Sequence, residues 1–123
     1  MSEPATDFDL GPLSWVQSEI DQAIARGLES IAAFRANPAD PGALRLARTH
    51  VHQAAGAIQM VGLDAVVAYT DELERQLARL ESLPPEELDG TAEAVDRACR
   101  KLRIFLDELV KGVAPVPLKL FPE

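Results

Sequence analysis

Both histidines of the chain lie in one short stretch, THVHQAAGAIQMVGL, which spans residues 49–63. A neutral imidazole can act as a nucleophile, as a general base or as a metal ligand. His50 and His52 are two residues apart, so on a helix they point to different faces and form a poor metal site. The choice is therefore between a chemical role for one imidazole and an ordinary polar surface residue.

The spacing of apolar residues predicts where each imidazole points. The stripe that recurs every three or four positions, as on one face of a helix, is Leu44, Ala47, Val51, Ala54, Ile58 and Val61. At 100° per residue, His52 lies about 140° from the centre of this stripe and His50 about 60° from it. We therefore expect His50 at the boundary of the buried face, with one nitrogen hydrogen-bonded. His52 is expected on the exposed side, which it shares with Arg45, Arg48, Ala55, Gly56 and Gln59.

Gly56 lies inside this predicted helix, where glycine costs about 1 kcal/mol relative to alanine. Ala55 and Gly56 follow His52 by one turn and are the two smallest residues available. They would leave the imidazole above a shallow, open surface that a bulky partner can approach. The alternative is a structural role, in which the glycine allows a neighbouring helix to pack closely.

This helix is the second of four predicted amphipathic helices, which are separated by NPADPG, by Gly62 and by SLPPEE. Ser14 and Gln17 have the spacing of a capping box, so the first helix is predicted to begin at Ser14. Asp40 and Pro41 are typical of a helix cap and first turn, and they predict the start of the second helix. Gly62 is expected to end or bend that helix.

The other three helices carry apolar stripes of the same period, and no segment alternates as a strand does. Their predicted inward residues are Trp15 or Val16, Ile20, Ile24, Leu28, Ile31 and Phe34; Leu63, Val66, Thr70, Leu73, Leu77 and Leu80; Leu88, Ala92, Val95, Cys99, Leu102, Leu106 and Leu109. The last helix is predicted over residues 86–111, with Gly112 as its terminator. Four such helices with short connections pack most simply as an antiparallel up-and-down four-helix bundle.

The sequence thus predicts an all-α domain over residues 13–111. Residues 1–12 are predicted to be a disordered acidic lead. Residues 112–123, GVAPVPLKLFPE, form a Pro-spaced apolar tail that either folds back over the bundle or begins a linker to further domains.

Composition excludes several classes of function. The formal net charge of −8 in 123 residues disfavours binding to nucleic acid and to anionic membranes. The single cysteine, Cys99, excludes an internal disulfide and a cysteine-based metal site, and it is expected to be a buried small hydrophobe. No apolar run reaches the length of a membrane helix, and the N-terminus lacks the features of a signal peptide, which predicts a cytoplasmic location.

The sequence also lacks the motifs of most enzymes. It contains neither a P-loop nor a kinase glycine loop, so we expect no nucleotide or other cofactor to be bound by this chain. No Ser-His-Asp spacing is recognisable, and the carboxylates include no Glu-x-x-His pairs of the kind found in di-iron bundles.

Residues 52–63, HQAAGAIQMVGL, resemble the signature of histidine phosphotransfer (Hpt) domains, including the phosphoacceptor domain of chemotaxis-type histidine kinases. That signature has a histidine, a glycine four residues later, a second glycine at ten and then an apolar residue. Here these are His52, Gly56, Gly62 and Leu63. The family also places a glutamate on the following helix, which ELERQL supplies as Glu74. The family is a four-helix bundle with the histidine exposed on its second helix, so the resemblance covers roughly residues 14–111.

Three segments, DLGPLSWVQSEID, HQAAGAIQMVGLDAV and PLKLFPE, resemble the N-terminal region of the large hybrid kinases of type IV pilus chemosensory systems. Those bacterial proteins carry several Hpt-type domains in series. The resemblance therefore implies two-component signal transduction, and it implies that this chain is a fragment of a longer protein.

The resemblance also implies roles for individual residues. His52 would take a phosphoryl group from a separate kinase domain, which binds the ATP and Mg²⁺, and pass it to an aspartate of a response-regulator receiver domain. Glu74 would accept a hydrogen bond from Nδ1 of His52, unless it is only a surface charge paired with Arg75 or Arg79. Supporting positions around the histidine are Gly56, Ala55, Gln59, Arg48 and Gly62.

One position departs from the family pattern, which usually has a lysine three residues after the histidine, where this chain has Ala55. Arg48, one turn before His52, could supply the missing positive charge. Otherwise the domain has lost phosphotransfer and serves as a degenerate Hpt-like module for protein interaction or for homodimerisation in a pilus signalling system.

Overall fold

The computed structural model describes the backbone of residues 10–112 and the side chains of residues 16–112. It contains four helices, which are α1 (Leu10–Ala36), α2 (Pro41–Met60), α3 (Asp64–Arg79) and α4 (Pro85–Val110). No strand occurs between residues 10 and 112. The prediction of an all-α fold with four helices is therefore confirmed. Predictions for residues 1–9 and 113–123 lie outside the described part of the chain.

The predicted start of α1 was wrong. Helix α1 already includes Leu10, so Ser14 lies inside it and the proposed capping box with Gln17 does not form the helix start. The sequence GP at residues 11 and 12 suggested a break. However, proline is compatible with the first turn of a helix, because the backbone N–H that it lacks has no partner there.

The predicted start of α2 is confirmed. The Asp40 side chain caps the helix by accepting a hydrogen bond from the Gly42 N–H at 2.9 Å, and Pro41 occupies the first turn. Gly62 has a φ of +78°, which is the left-handed conformation that favours glycine just after a helix. Gly112 repeats this conformation after α4, so both predicted glycine terminators are confirmed.

Each helix packs against two others. Helix α1 contacts α2 and α4, and α3 also contacts α2 and α4, which closes a ring around one apolar core. Most predicted inward residues are buried in this core, while Val16, Val61, Leu63, Leu88 and Leu109 are partly buried at its edges. Cys99 is fully buried, as predicted.

Two polar side chains in the core have hydrogen-bond partners. The hydroxyl of Thr70 donates to the Val67 carbonyl at 2.8 Å, and that of Tyr69 donates across to the Ala98 carbonyl of α4 at 2.9 Å. Burial raises the pKa of Tyr69 to about 12. Within residues 10–112, no helix is both long and apolar enough to cross a lipid bilayer.

Candidate functional site

His52 lies in the middle of α2, on the side away from the core, and 76% of its side chain is exposed. The exposure predicted from the apolar stripe is therefore confirmed. His50 is half-buried, and its Nδ1 lies 3.4 Å from Oε1 of Gln53, which also agrees with its predicted boundary position.

Glu74 on α3 reaches the His52 ring. Its Oε1 lies 2.8 Å from Nδ1 of His52, and 31% of the Glu74 side chain is exposed. The short turn between α2 and α3 and the packing of these helices bring together two residues that are 22 positions apart in the chain. The alternative pairing with Arg75 or Arg79 does not occur, because Arg75 bonds Glu72 and Arg79 bonds Gln76.

This contact determines which ring nitrogen is available. An ionised carboxylate can only accept hydrogen bonds, so the Nδ1 of His52 must carry the proton that it donates to Glu74. In the neutral ring, Nε2 then keeps its lone pair. Within the described residues, Nε2 has no hydrogen-bond partner. The imidazole is therefore held by one nitrogen and open to a reactant at the other.

Gly56 follows His52 by one turn on the same exposed side. Leaving out its own stretch of helix, a Cβ placed on Gly56 would meet no heavy atom of the described residues within 4 Å. The structural alternative, in which Gly56 allows a neighbouring helix to pack closely, is therefore wrong. The surface next to the imidazole is open, as the access interpretation requires.

Ala55 was predicted to lie on the same exposed side, and that prediction was wrong. Ala55 is only 7% exposed; it follows the buried Ala54 directly and lies one turn after the buried Val51. The buried face of α2 is thus wider than its apolar stripe suggested. Gly56, not Ala55, provides the open surface beside His52.

Three supporting residues have distinct surroundings. Gln59 is exposed two turns after His52, on the same side of α2. Arg48 is exposed one turn before His52, where its Nη1 forms an ion pair with Oε2 of Glu81. No heavy atom of the part of the chain that the structure describes lies within 4 Å of a Cβ built on Gly62, so the left-handed conformation of Gly62 at the end of α2 accounts for its presence.

Sequence reasoning missed Glu81, which lies in the turn after α3. The available signal was its spacing, since Glu81 follows Glu74 by seven residues and so lies two turns further along the same side. The His52 side of α2 is therefore bordered by two carboxylates from the α3 segment, one on the imidazole and one on Arg48.

The described side chains offer little for a metal ion. Among residues 16–112, no group of three or more His, Cys, Asp or Glu side chains could hold one. Cys99 is not a candidate nucleophile either, because burial raises its pKa to about 12.

Other known proteins provide no independent assignment for this site. Comparison of the chain with protein-family models, with curated proteins and with solved structures finds no match in any of the three. The resemblance to Hpt domains therefore depends on the motif residues and on the geometry that His52 and Glu74 form.

Proposed function

We propose that this chain is a histidine phosphotransfer domain of a two-component, chemotaxis-type signalling pathway. His52 is the phosphoacceptor, which takes its phosphoryl group from a histidine kinase domain and passes it to an aspartate of a response-regulator receiver domain. The observation that carries the proposal is the exposed His52 ring with Nδ1 held 2.8 Å from Glu74. This is the arrangement that a reversible nitrogen nucleophile needs.

The chemistry uses both ring nitrogens. The Nε2 lone pair attacks the γ-phosphorus of ATP held by the kinase domain, the bond from phosphorus to the bridging oxygen breaks, and ADP leaves. The ring becomes cationic while Nδ1 keeps its proton. Glu74 stabilises that cation and fixes the ring orientation through the same hydrogen bond. Transfer to the receiver aspartate reverses the charge change and restores the neutral imidazole.

The proposal includes an antiparallel up-and-down order of the helices. Two ion pairs support it for α1 and α4, since Asp21 in the first half of α1 pairs with Arg103, and Arg35 at the end of α1 pairs with Asp89. The earlier residue of one helix thus meets the later residue of the other. The pairs His52–Glu74 and Arg48–Glu81 show the same inverse order between α2 and the α3 segment.

The partners follow from what the chain lacks and from the motif. ATP and Mg²⁺ belong to the kinase domain, because this sequence has no nucleotide-binding motif. The proposed setting is the cytoplasmic signalling apparatus of type IV pili, with this domain as one part of a larger hybrid kinase.

The test is incorporation of phosphate from ATP, with Mg²⁺ and the catalytic core of a chemotaxis-type histidine kinase. We expect the wild type and His50→Gln to be labelled and His52→Gln to remain unlabelled. His50→Gln is a matched control, since it removes the other imidazole of the same helix. Label retained by His52→Gln, or no label in the wild type, contradicts the proposal.

Glu74→Gln tests the second residue of the site. An amide in place of the carboxylate keeps the size of the side chain but loses the charge that stabilises the cationic ring, so the labelling rate should fall by about tenfold or more. The matched control is Glu72→Gln, which removes a carboxylate on the same helix that bonds Arg75 and Gln76. Equal rates for both variants would leave Glu74 with only a surface role.

A second candidate function is a degenerate Hpt-like module for protein interaction or homodimerisation. Two observations favour it: Ala55 replaces the usual lysine, and Met60 at the end of α2 is 83% exposed. This candidate predicts a wild type that is never labelled and a dimer, detected by analytical ultracentrifugation, that Met60→Glu dissociates. A labelled monomer contradicts it.

A further inference from the structure

The phosphoryl group that His52 would hold is negatively charged, and carboxylates already lie beside this site. A phosphoryl group brings close to two negative charges, and Glu74 and Glu81 already border this side of α2. A phosphorylated His52 therefore needs a cation within reach.

The described structure offers few cations in this position. Arg75 and Arg79 lie on α3, but at 100° per residue they point about 100° and about 140° away from Glu74 around that helix, and they bond Glu72 and Gln76 there. The described lysines, Lys101 and Lys111, belong to the α4 segment, which does not pack against α2. Arg26 of α1 lines a surface depression with Gln53 and Ala57, whereas the His52 ring contacts α3. The His52 side of α2 itself carries Arg48, one turn away, and Arg45, two turns away.

Arg48 is the better placed of the two. Side chains four residues apart on a helix are neighbours, with about 5–6 Å between their Cβ atoms. The Arg48 side chain is partly accessible, since 43% of it is exposed. A guanidinium can donate two parallel hydrogen bonds to phosphoryl oxygens, which suits this role.

Resting on the proposed role of His52, we infer that Arg48 binds the phosphoryl group and that Glu81 holds Arg48 in an ion pair until phosphorylation. In the structure, the Arg48 guanidinium bonds Glu81, whose side chain is 56% exposed. Exposed ion pairs are weak, contributing about 0–1 kcal/mol, so a dianion on the neighbouring imidazole displaces the carboxylate. Exchange of Arg48 between Glu81 and the phosphoryl group makes the turn after α3 sensitive to the state of His52.

The test uses phosphoramidate, a small-molecule donor, so that no unidentified kinase is needed. Its P–N bond breaks as the Nε2 lone pair forms the new N–P bond, and ammonia leaves. The rate of labelling and the lifetime of phosphohistidine are followed by intact mass and by ³¹P NMR, and circular dichroism checks the fold of each variant.

We expect Arg48→Ala to slow labelling and to shorten the phosphohistidine lifetime, each by about tenfold, because a charge-assisted hydrogen bond is lost. Arg48→Lys should recover part of this loss, since the positive charge returns without the planar fork. Arg45→Ala, which removes a charge from the same side of α2, should remain near wild type. An equal loss in Arg45→Ala overturns the inference, because the effect would then be general electrostatics.

Glu81→Gln tests whether Glu81 acts through its ion pair with Arg48 or only through its negative charge. It should raise the labelling rate by about two- to fivefold, because Arg48 no longer has a competing carboxylate. In Glu81→Gln combined with Arg48→Ala, that gain should disappear. A gain that persists in the double variant overturns the exchange between Glu81 and phosphate.

The failures of the two proposals are distinguishable. Wild-type labelling at His52 that is unchanged in Arg48→Ala overturns only the role of Arg48. Wild-type chain that is not labelled at His52, while free imidazole in the same solution is, overturns both proposals.

Discussion

Gly27 and Gly56 both lie inside helices, yet their surroundings are opposite. A Cβ on Gly27 would lie 3.3 Å from Cγ2 of Val51 and 3.8 Å from the Cβ of His50, so this glycine allows α1 and α2 to approach closely. A Cβ on Gly56 would meet open space. Close packing therefore explains Gly27 but not Gly56. The difference indicates that Gly56 leaves room for a partner to approach the exposed side of α2.

The largest expected effect on stability is the difference between substitutions on the buried side and on the exposed side of α2. Ile58 is fully buried and its neighbour Gln59 is exposed. Ile58→Ala should lower the free energy of unfolding by about 2–5 kcal/mol. The matched change Gln59→Ala should alter it by less than about 0.5 kcal/mol. Urea denaturation of both variants measures the contrast, and similar losses in the two would mean that the buried side of α2 is misassigned.

A substitution at Gly27 tests the close contact itself. Gly27→Leu must place a branched side chain where Val51 already lies within 3.3 Å of the Cβ position. Overpacking of this kind costs about 1–3 kcal/mol, and over most of that range the cost is larger than the gain of about 1 kcal/mol in helix propensity. We expect a lower thermal midpoint, and a midpoint at or above that of wild type would show that α1 and α2 can separate there freely.

A third prediction concerns the pH dependence of stability that two buried side chains cause. Burial raises the pKa of Tyr69 from 10.0 to about 12 and that of Cys99 from 9.0 to about 12. Raised values mean that the folded state keeps protons that the unfolded state releases, so stability is intact below pH 9.0 and falls as the pH rises towards about 12. Urea denaturation at neutral pH and near pH 11 measures this loss.

The control for that prediction is Tyr69→Phe. The variant loses the hydrogen bond to the Ala98 carbonyl, which costs about 1–2 kcal/mol at neutral pH. Its stability should then depend less on alkaline pH than that of the wild type. An unchanged alkaline slope would assign the effect to other groups.

The smallest expected effect is an increase in stability. Gly56→Ala adds a methyl group in open space on a helix, so the free energy of unfolding should rise by about 0.5–1 kcal/mol. Phosphate labelling should be little affected by a methyl group but should fall in Gly56→Trp, whose indole would cover the approach to His52. Full labelling in Gly56→Trp would remove the access interpretation while leaving the stability prediction intact.

Periodicity predicted much of this fold because its signal lies within each helix. The stripe of α2 placed His52 outside and Ile58 inside, and the cap at Asp40 and the glycines at the helix ends fixed most boundaries. The prediction that α1 begins at Ser14 was wrong because a residue typical of caps can also occur inside a helix, and the proline at position 12 is tolerated in the first turn.

The errors at the site have a different origin. Ala55 is buried although it lies beside the apolar stripe of α2 and not on it. Burial at such a position depends on how the neighbouring helices pack, which the period of a single helix does not encode. The contact of His52 with Glu74 was expected from the family resemblance, whereas the pairing of Arg48 with Glu81 became visible only once α2 and α3 were side by side.

Cys99 has a practical consequence. It is the one cysteine of the chain, it is 0% exposed, and its thiol is protonated at neutral pH, so maleimide reagents will not modify it while the protein is folded. A second cysteine introduced at Gln59 would therefore accept a fluorophore selectively, without removal of the native one. Such a label, two turns from His52, would report in real time when another protein covers that side of α2.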